Sequence, residues 1–548
     1  MAKITDMTKP VDLMQHAAGT GHRRTQRPVY MDFMPPCNSA CPAGENIQAW
    51  LDHAQAGRYY DAFQQILDDN PFPAVMGRIC VKPCETGCNR NHIDNTVNIH
   101  AVERYIGDLA IAEGWKPEYD ARPSGKKVMV VGAGTGGLSA AYHLRRMGHE
   151  VTIFEAEANP GGLLFLGVPE YRLPQSTLKA EINRILDMGV QLQVNYRVEN
   201  LVAEMKNGGF DAFYLSIGAL QGRTVEFEGK PTIPFMDAIE FLRYFKLNTM
   251  PPIGESVVVY GGSKMAMYIA RVVKRMGKLP VVMYPGDRKL MPAYDFEADE
   301  AIGEGIEINF LRRIKSIENN ELTLEVMEVV KGKAAPTGEE MVYEADALIF
   351  AMGQDVDPSL YKDIEGIQTK PDGGIVINNT TRMTGHDGIF AGGDMLPGEL
   401  RSSTISIGNG KKAARNIDAY LNKAVYEKPP KPPTAGYKRL HIWYQTEAPI
   451  TVQPRLNPFT AIRSFDEVVA GIDEKDARYE AQRCLSCGNC FECDGCYGAC
   501  PEDAIIKLGK GNRYKFNYDA CTGCAICYEQ CPCHAIEMIP EPVNGQTK

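Results

Sequence analysis

Twice along the chain a short unbroken apolar run gives way to glycines, then to about a dozen residues with apolar positions at helical spacing, then to a second apolar run. The first instance is KKVMVVGAGTGGLSAAYHLRRMGHEVTIFEAE and the second is ESVVVYGGSKMAMYIARVVKRMGKLPVVMYPGD. Each predicts strand, glycine turn, helix and strand, the opening unit of a doubly wound parallel sheet. ALIFAMGQD (347–355) and GIFAGGDM (388–395) read as further buried strands ending in glycine, and a helix is expected after STISIGNG (403–410). The chain thus leaves the first unit, builds the second and returns.

The two glycine turns differ in quality. In the first, Gly132, Gly134 and Gly137 stand in G-x-G-x-x-G register, with Ala133 inside the turn. Gly132 permits the tight turn, Gly134 lets backbone approach a pyrophosphate, and Gly137 allows close helix packing beneath the positive end of the helix dipole. Glu155 ends the second strand 23 residues after Gly132, where an acid binds a ribose hydroxyl. In the second turn Gly261 holds the first position, but Ser263 stands at the second and Ala266 at the third. Ser263 puts a side chain where backbone should approach phosphate, so a Rossmann-type unit without a nucleotide is the competing reading there. Gly393 and Asp394 close the strand 388–395, placing a carboxylate to bond a ribityl hydroxyl, and the following helix would aim its positive end at a flavin ring.

Of sixteen cysteines, five lie between residues 37 and 88, none between 89 and 483, and eleven between 484 and 533. CFECDGCYGACP (490–501) and CTGCAICYEQCP (521–532) both read C-x2-C-x2-C-x3-C-P. In a two-cluster ferredoxin the fourth cysteine of each run ligates the other cluster. One cluster should therefore use Cys490, Cys493, Cys496 and Cys531, and the other Cys521, Cys524, Cys527 and Cys500. Zinc is the competing reading, disfavoured because zinc sites seldom crowd four cysteines into so short a run twice over.

Composition changes the picture only at the edges. A chain of 548 residues suggests three to four domains at about 150 residues each, with 44% hydrophobic content for their cores. The net charge of −10, with basic residues scattered, disfavours nucleic acid and anionic membrane as partners. MAKITDMTKPVDLMQHAAGTGHRRTQRP holds no signal-peptide core, and no run approaches a membrane span, so a cytoplasmic location without membrane insertion is expected. In that reducing compartment the cysteines are expected to bind metal or do redox work.

The run from GKKVMVVGAGTGGLSAAYHL through PGGLLFLGVPEYRLP to GIFAGGDM resembles the small (beta) subunit of bacterial glutamate synthase, itself related to the N-terminal half of dihydropyrimidine dehydrogenase; the likeness covers about residues 35–422. It implies FAD in the first unit, touching also Gly162, Leu163 and Thr404, and a pyridine nucleotide in the second. It further implies hydride transfer to the flavin and single electrons leaving through [4Fe-4S] clusters, with no catalytic acid or base. NADPH-using members of that family carry a Tyr-Arg-Arg stretch after the second strand of the nucleotide unit. Here Tyr284, Pro285, Gly286, Asp287 and Arg288 stand there, an acid replacing the arginine pair, which favours NADH. A clear NADPH preference would need Arg288 or Lys289 to take over.

The family also has two clusters in its N-terminal helical region. By that likeness Cys41, Cys80 and Cys84 hold one cluster with Glu103 as polar fourth ligand, His100 being the alternative. The tail segment FDEVVAGIDEKDARYEAQRCLSCGN (465–489) resembles the stretch that in those subunits opens the chain and carries two further cluster cysteines. Counting what remains, Cys37 and Cys88 would join Cys484 and Cys487 in a cluster shared between the two ends, within one chain or across a dimer, with Cys533 free. Four clusters follow, or three if Cys484 and Cys487 are spare.

The expected fold class is α/β: two nested Rossmann-like nucleotide-binding domains, an N-terminal α-helical iron–sulfur domain and a C-terminal α+β bacterial-ferredoxin-like domain. The expected boundaries are 1–122 for the helical domain, 123–232 with 370–425 for FAD, 233–369 for NAD(P)H, 426–475 for a linker and 476–548 for the ferredoxin. The expected function is an NAD(P)H-linked electron-transfer subunit serving a protein redox partner, a 2-oxoacid oxidoreductase or a sulfite-reductase-type complex. A flavin relay or assembly subunit without nicotinamide is the alternative. Glutamate synthase itself is less favoured, since its small subunit needs no ferredoxin tail.

Overall fold

The structure is a computed structural model that describes residues 24–542; most of the N-terminal stretch searched above for a signal peptide lies outside the described residues. The helices Ile47–Gln55, Tyr59–Leu67, Pro73–Ile79 and Ile99–Ala112 form the N-terminal domain. Tyr59, Ala62, Phe63 and Ile66 fall on one helical face and are buried. Two glycines let helix backbones touch: a Cβ at Gly107 would lie 2.2 Å from Ala74 N, and one at Gly77 would lie 2.5 Å from Arg104 N. This crossing brings residues 80 and 103 into one region.

The first parallel sheet has the strand order Ile389–Ala391, Ala212–Leu215, Lys127–Val131, Glu150–Phe154, Gln191–Gln193. The second runs Glu307–Phe310, Leu279–Tyr284, Ser256–Tyr260, Ala347–Phe350, Phe235–Asp237, also parallel throughout. Their central strands read as solid apolar runs because both faces are covered. The edge strand 389–391 follows the whole second sheet in sequence, so the chain does return. A mixed sheet extends the insertion and was not anticipated: Arg312–Asn319, Glu321–Val330 and Lys333–Glu344 pair antiparallel, and Glu228–Pro231 joins Arg312–Asn319 in parallel.

The two ends of the described chain meet. Strand Gln26–Tyr30 pairs antiparallel with Ile536–Pro540, so these first residues build the C-terminal unit and not the helical domain they precede. The stretch 426–473, poor in regular structure, is fastened at several points: Ala435 N donates to Met34 O at 2.9 Å and Val468 N to Tyr171 O at 2.9 Å. The helix Glu474–Gln482 then buries Ala477 and Ala481 in the same core as Trp50 and Leu51. No helix among the described residues is long and apolar enough to cross a membrane.

Arg483 locks this tail helix down. It is 3% exposed, pairs with Glu480 at 2.8 Å and Asp94 at 3.2 Å, and donates to the carbonyls of Thr96 and Asn95 at 2.7 and 2.8 Å. Arg483→Ala would leave the buried Glu480 carboxylate without its guanidinium, while Asp94 keeps Arg90 at 2.8 Å, a loss of about 3–5 kcal/mol. Denaturant unfolding is expected to show that loss, and limited proteolysis to open the 430–480 region first; unchanged resistance would refute the clamp.

Candidate functional site

One cavity of about 640 Å³ takes in both glycine turns: Gly132 and Gly134 line it from the first unit, Ser263 and Lys264 from the second. The three fingerprint glycines do different work. Gly132 has φ +100°, and a Cβ there would lie 2.4 Å from Ser216 O. A Cβ on Gly137 would sit 1.9 Å from Gly132 O, so only glycine lets the helix Thr135–Arg146 close on its turn. A Cβ on Gly134 meets nothing within 4 Å, because that atom would project into open space at the helix N-terminus. Glu155 is buried; its carboxylate accepts from Ala133 N at 2.7 Å and Glu157 N at 2.9 Å, and burial raises its pKa. Gly162, Leu163, Gly393 and Asp394 line the same cavity. Burial likewise pushes Asp394 up, while Ser406 Oγ donates to its carboxylate at 3.0 Å. Glycine, carboxylate and helix end thus fit a dinucleotide.

Thr404 is elsewhere. Its neighbours Ser402, Ser403 and Ser406 line the cavity, but its own hydroxyl lies 3.2 Å from Cys80 Sγ, so the expected flavin contact is instead a contact to a sulfur. In the second unit the structure puts Gly261 at φ +143°, with Ala266 inside the helix. Ser263 does not obstruct the turn: its hydroxyl accepts from Ala266 N at 3.3 Å and donates to Ala351 O at 3.1 Å, capping the helix Lys264–Arg275. Asp287 caps a short 3-10 turn by accepting from Leu290 N at 3.0 Å and does not line the cavity. Arg288 is held by Asp295 at 3.2 Å and Asp299 at 3.0 Å.

The cysteines gather in four groups. Cys37 is buried and its thiol is pushed well up by burial and by the sulfurs of Cys484, Cys88 and Cys487. The same burial takes Cys484 and Cys487 up to about 12, and Asn89 Nδ2 donates to Cys487 Sγ at 3.4 Å. In the inner group Cys41, Cys80, Cys84 and Glu103 face one another, and burial raises all four. His100 is taken: its ring nitrogens meet Glu85 at 2.7 Å and Gln453 at 2.8 Å. Cys490, Cys493 and Cys496 surround Cys531, while Cys500, Cys521, Cys524 and Cys527 line one small cavity, the crossed pattern of the two runs. Cys533 is buried with Sγ 3.8 Å from that of Cys531.

The most deeply packed thiols, Cys37, Cys41 and Cys84, resist ionising because burial and neighbouring charge oppose the thiolate, and an iron–sulfur core would relieve both costs. Among the described residues no three His, Cys, Asp or Glu side chains close tightly enough to grip a single ion.

Residues 126–413 match the pyridine nucleotide-disulphide oxidoreductases, 20–115 match dihydropyrimidine dehydrogenase domain II with its 4Fe-4S cluster, and 514–537 match a 4Fe-4S binding domain. The beta subunit of the NADP(+)-dependent formate dehydrogenase of Moorella thermoacetica is 32% identical, over 84% of this chain and 71% of that protein. The small chain of the glutamate synthase [NADPH] of Azospirillum brasilense is 30% identical, over 72% and 88%. The chain belongs to this flavin and iron–sulfur oxidoreductase family. It is an NAD(P)H-linked electron-transfer protein that carries an FAD/NAD(P) domain and 4Fe-4S domains. The beta subunit of the NADPH-Fe(3+) oxidoreductase of Geobacter sulfurreducens is a further relative, 31% identical over 89% of this chain and 78% of its own length.

Several residues at the family's site were not read from the sequence. Glu45, four positions after Cys41, is buried, and burial with the nearby Asp69 lifts its carboxyl to about 7. Asn70 bridges it to the inner group, donating to Glu45 at 3.0 Å and Glu103 at 2.9 Å. Only the acid in CPAGENI was a signal, and acids are ordinarily solvent-facing.

The glycines separate folding from flavin binding. Gly137→Ala is expected to cost about 1–3 kcal/mol of stability by overpacking. Gly134→Ala should leave the unfolding curve unchanged yet lower flavin affinity at least tenfold. Paired denaturation and flavin-content measurements check this, and a Gly134→Ala protein retaining full flavin would show that the pyrophosphate lies elsewhere.

Proposed function

We propose that the chain is an electron-transfer subunit that takes hydride from NADH at the cavity joining its two Rossmann units and passes single electrons to a protein redox partner. One observation carries this reading. The first turn of the helix Ser403–Leu421 lines the cavity with Ser403 and Ser406 and touches Cys80 with Thr404, so the nucleotide cavity and the inner sulfur group are one helical turn apart. Bound there, FAD would supply the conversion of a hydride pair into single electrons. Gly134 would admit the pyrophosphate, Glu155 would hold a ribose hydroxyl, and Asp394, oriented by Ser406, would hold the ribityl chain. Ser263 and Lys264 face the pyridine nucleotide across the same space.

Four [4Fe-4S] ligand sets are assigned: Cys41, Cys80, Cys84 and Glu103; Cys37, Cys88, Cys484 and Cys487; and the two crossed ferredoxin sets. The second stands between the inner group and the tail, since Gly488, beside Cys487, donates its N–H to Cys533 O at 2.6 Å in the ferredoxin unit. Convergence of the four sulfurs within one chain supports an intrachain cluster without need of a dimer. The relatives are named as subunits of formate dehydrogenase, Fe(3+) oxidoreductase and glutamate synthase, which supports a partner subunit that deals in electrons, such as a 2-oxoacid oxidoreductase or a sulfite-reductase-type complex.

Iron analysis of the anaerobically purified protein should give close to sixteen atoms per chain, four for each of four clusters. Cys37→Ala and Cys487→Ala should each delete the same spectroscopic signal. Twelve atoms, or two different signals lost, would leave Cys484 and Cys487 as spare thiols.

NADP(+) or NADPH appears in all three relatives' names, yet here Asp287 stands after the strand Leu279–Tyr284 and Arg288 Nη2 is paired with Asp295 and Asp299. Anaerobic NADH is therefore expected to bleach the flavin at least tenfold faster than equimolar NADPH in stopped-flow absorbance. The reverse order would show that Arg288 or Lys289 is released to bind a 2′-phosphate, and no bleaching by either nucleotide would favour the relay without nicotinamide.

A further inference from the structure

A second cavity, of about 150 Å³, lies where four parts of the chain meet, separate from the nucleotide cavity. Arg78 and Arg104 reach it from the helical domain, Arg172 from the flavin domain, Arg271 and Glu300 from the insertion, and Arg455 and Glu467 from the tail. Most of these charges can be paired off. Arg78 and Arg104 are matched by two carboxylates, Asp108 at 2.6 and 3.4 Å and Glu467 at 2.8 and 3.0 Å.

On the other wall the pairing does not close. Four arginines share two carboxylates: Arg172, Arg271 and Arg455 converge on Glu300 at 3.9, 2.7 and 2.9 Å, while Arg271 and Arg275 both use Glu304 at 2.6 Å. Glu297, buried close by, is a third carboxylate acting on Arg172, so one positive charge is left over. A guanidinium cannot shed its proton in a protein, so this excess cannot be relieved by neutralisation as a lysine's might be. Arg172 shows the deficit directly: its single ion pair is long, and its Nε is buried without a hydrogen-bond partner. Phe296, 5.7 Å beneath that guanidinium and 5.6 Å from Lys82 Nζ, gives the cavity an apolar floor. Burying uncompensated charge is costly unless a partner of opposite sign is supplied.

We propose that this cavity is a binding site for a small oxyanion, phosphate or a short dicarboxylate, held by the forked donors of Arg172 and Arg455. Guanidinium forks match both oxyanions in a paired geometry. An oxyanion there offsets the surplus and ties the tail to the flavin domain.

The test uses the full-length protein with its cofactors, titrated calorimetrically in an otherwise anion-poor buffer with inorganic phosphate and, separately, with succinate. Binding of one equivalent of either probe per chain is expected, the two arms telling phosphate from dicarboxylate. Arg455→Gln, at the half-exposed rim, should weaken it at least tenfold, and Arg172→Gln should do the same while the visible spectrum is kept. No binding of either probe overturns the proposal. So does binding that both variants retain in full, and so does binding abolished by saturating NADH, which would place the anion in the nucleotide cavity.

Discussion

The constraint on which the architecture turns is the meeting of Cys37 and Cys88 with Cys484 and Cys487. Thiols drawn from positions some four hundred residues apart are buried together, an arrangement that opposes ionisation and is unfavourable until a metal core takes the thiolates. Everything that fastens the tail serves to hold those sulfurs in register: the helix Glu474–Gln482 sunk into the N-terminal core, Arg483 in its cage of carbonyls and carboxylates, and Asn89 donating to Cys487. The stretch 426–473 then behaves as a strap and not as a tether, because its ends are fixed and its middle is pinned.

A second theme is how little protein separates different chemistries. The nucleotide cavity and the inner sulfur group share one turn of one helix, and the packing of Gly410 against Gly136 O, where a Cβ would lie 2.4 Å away, sets that helix directly on the first Rossmann helix. The fingerprint glycines open the phosphate turn, and a glycine outside it, Gly410, sets how close the helix that carries Thr404 to Cys80 lies to that turn.

Local pattern made the Rossmann units legible, because glycine turns and solid apolar strands follow from short-range sterics and burial. The crossed ferredoxin pairs were equally legible from spacing. Glu103 came from likeness alone, and the structure gives it a physical place facing Cys80. The antiparallel extension at 312–344 was not read: ELTLEV does alternate and buries Leu322 and Leu324, but the partner strand Lys333–Glu344 is exposed along nearly all its length and gives no such signal. Thr404 was misplaced by a single helical position, which periodicity cannot resolve: neighbours on a helix point about 100° apart, one into the cavity and the next at a sulfur. The charge mismatch around Glu300 is invisible in the chain because its members come from four separate segments.

The pairing of Gln26–Tyr30 with Ile536–Pro540 has a consequence for how the protein comes to exist. The early strand leaves the ribosome some five hundred residues before its partner, a wait of about 25–100 s at bacterial elongation rates of about 5–20 residues per second. For that interval it is an unpaired sheet edge, and the sulfurs beside it lack half of their companions. A cluster proposed at the shared group would therefore have to be loaded after synthesis of the tail. A cell making this chain has to keep its leading segment from pairing with other strands until the trailing one arrives.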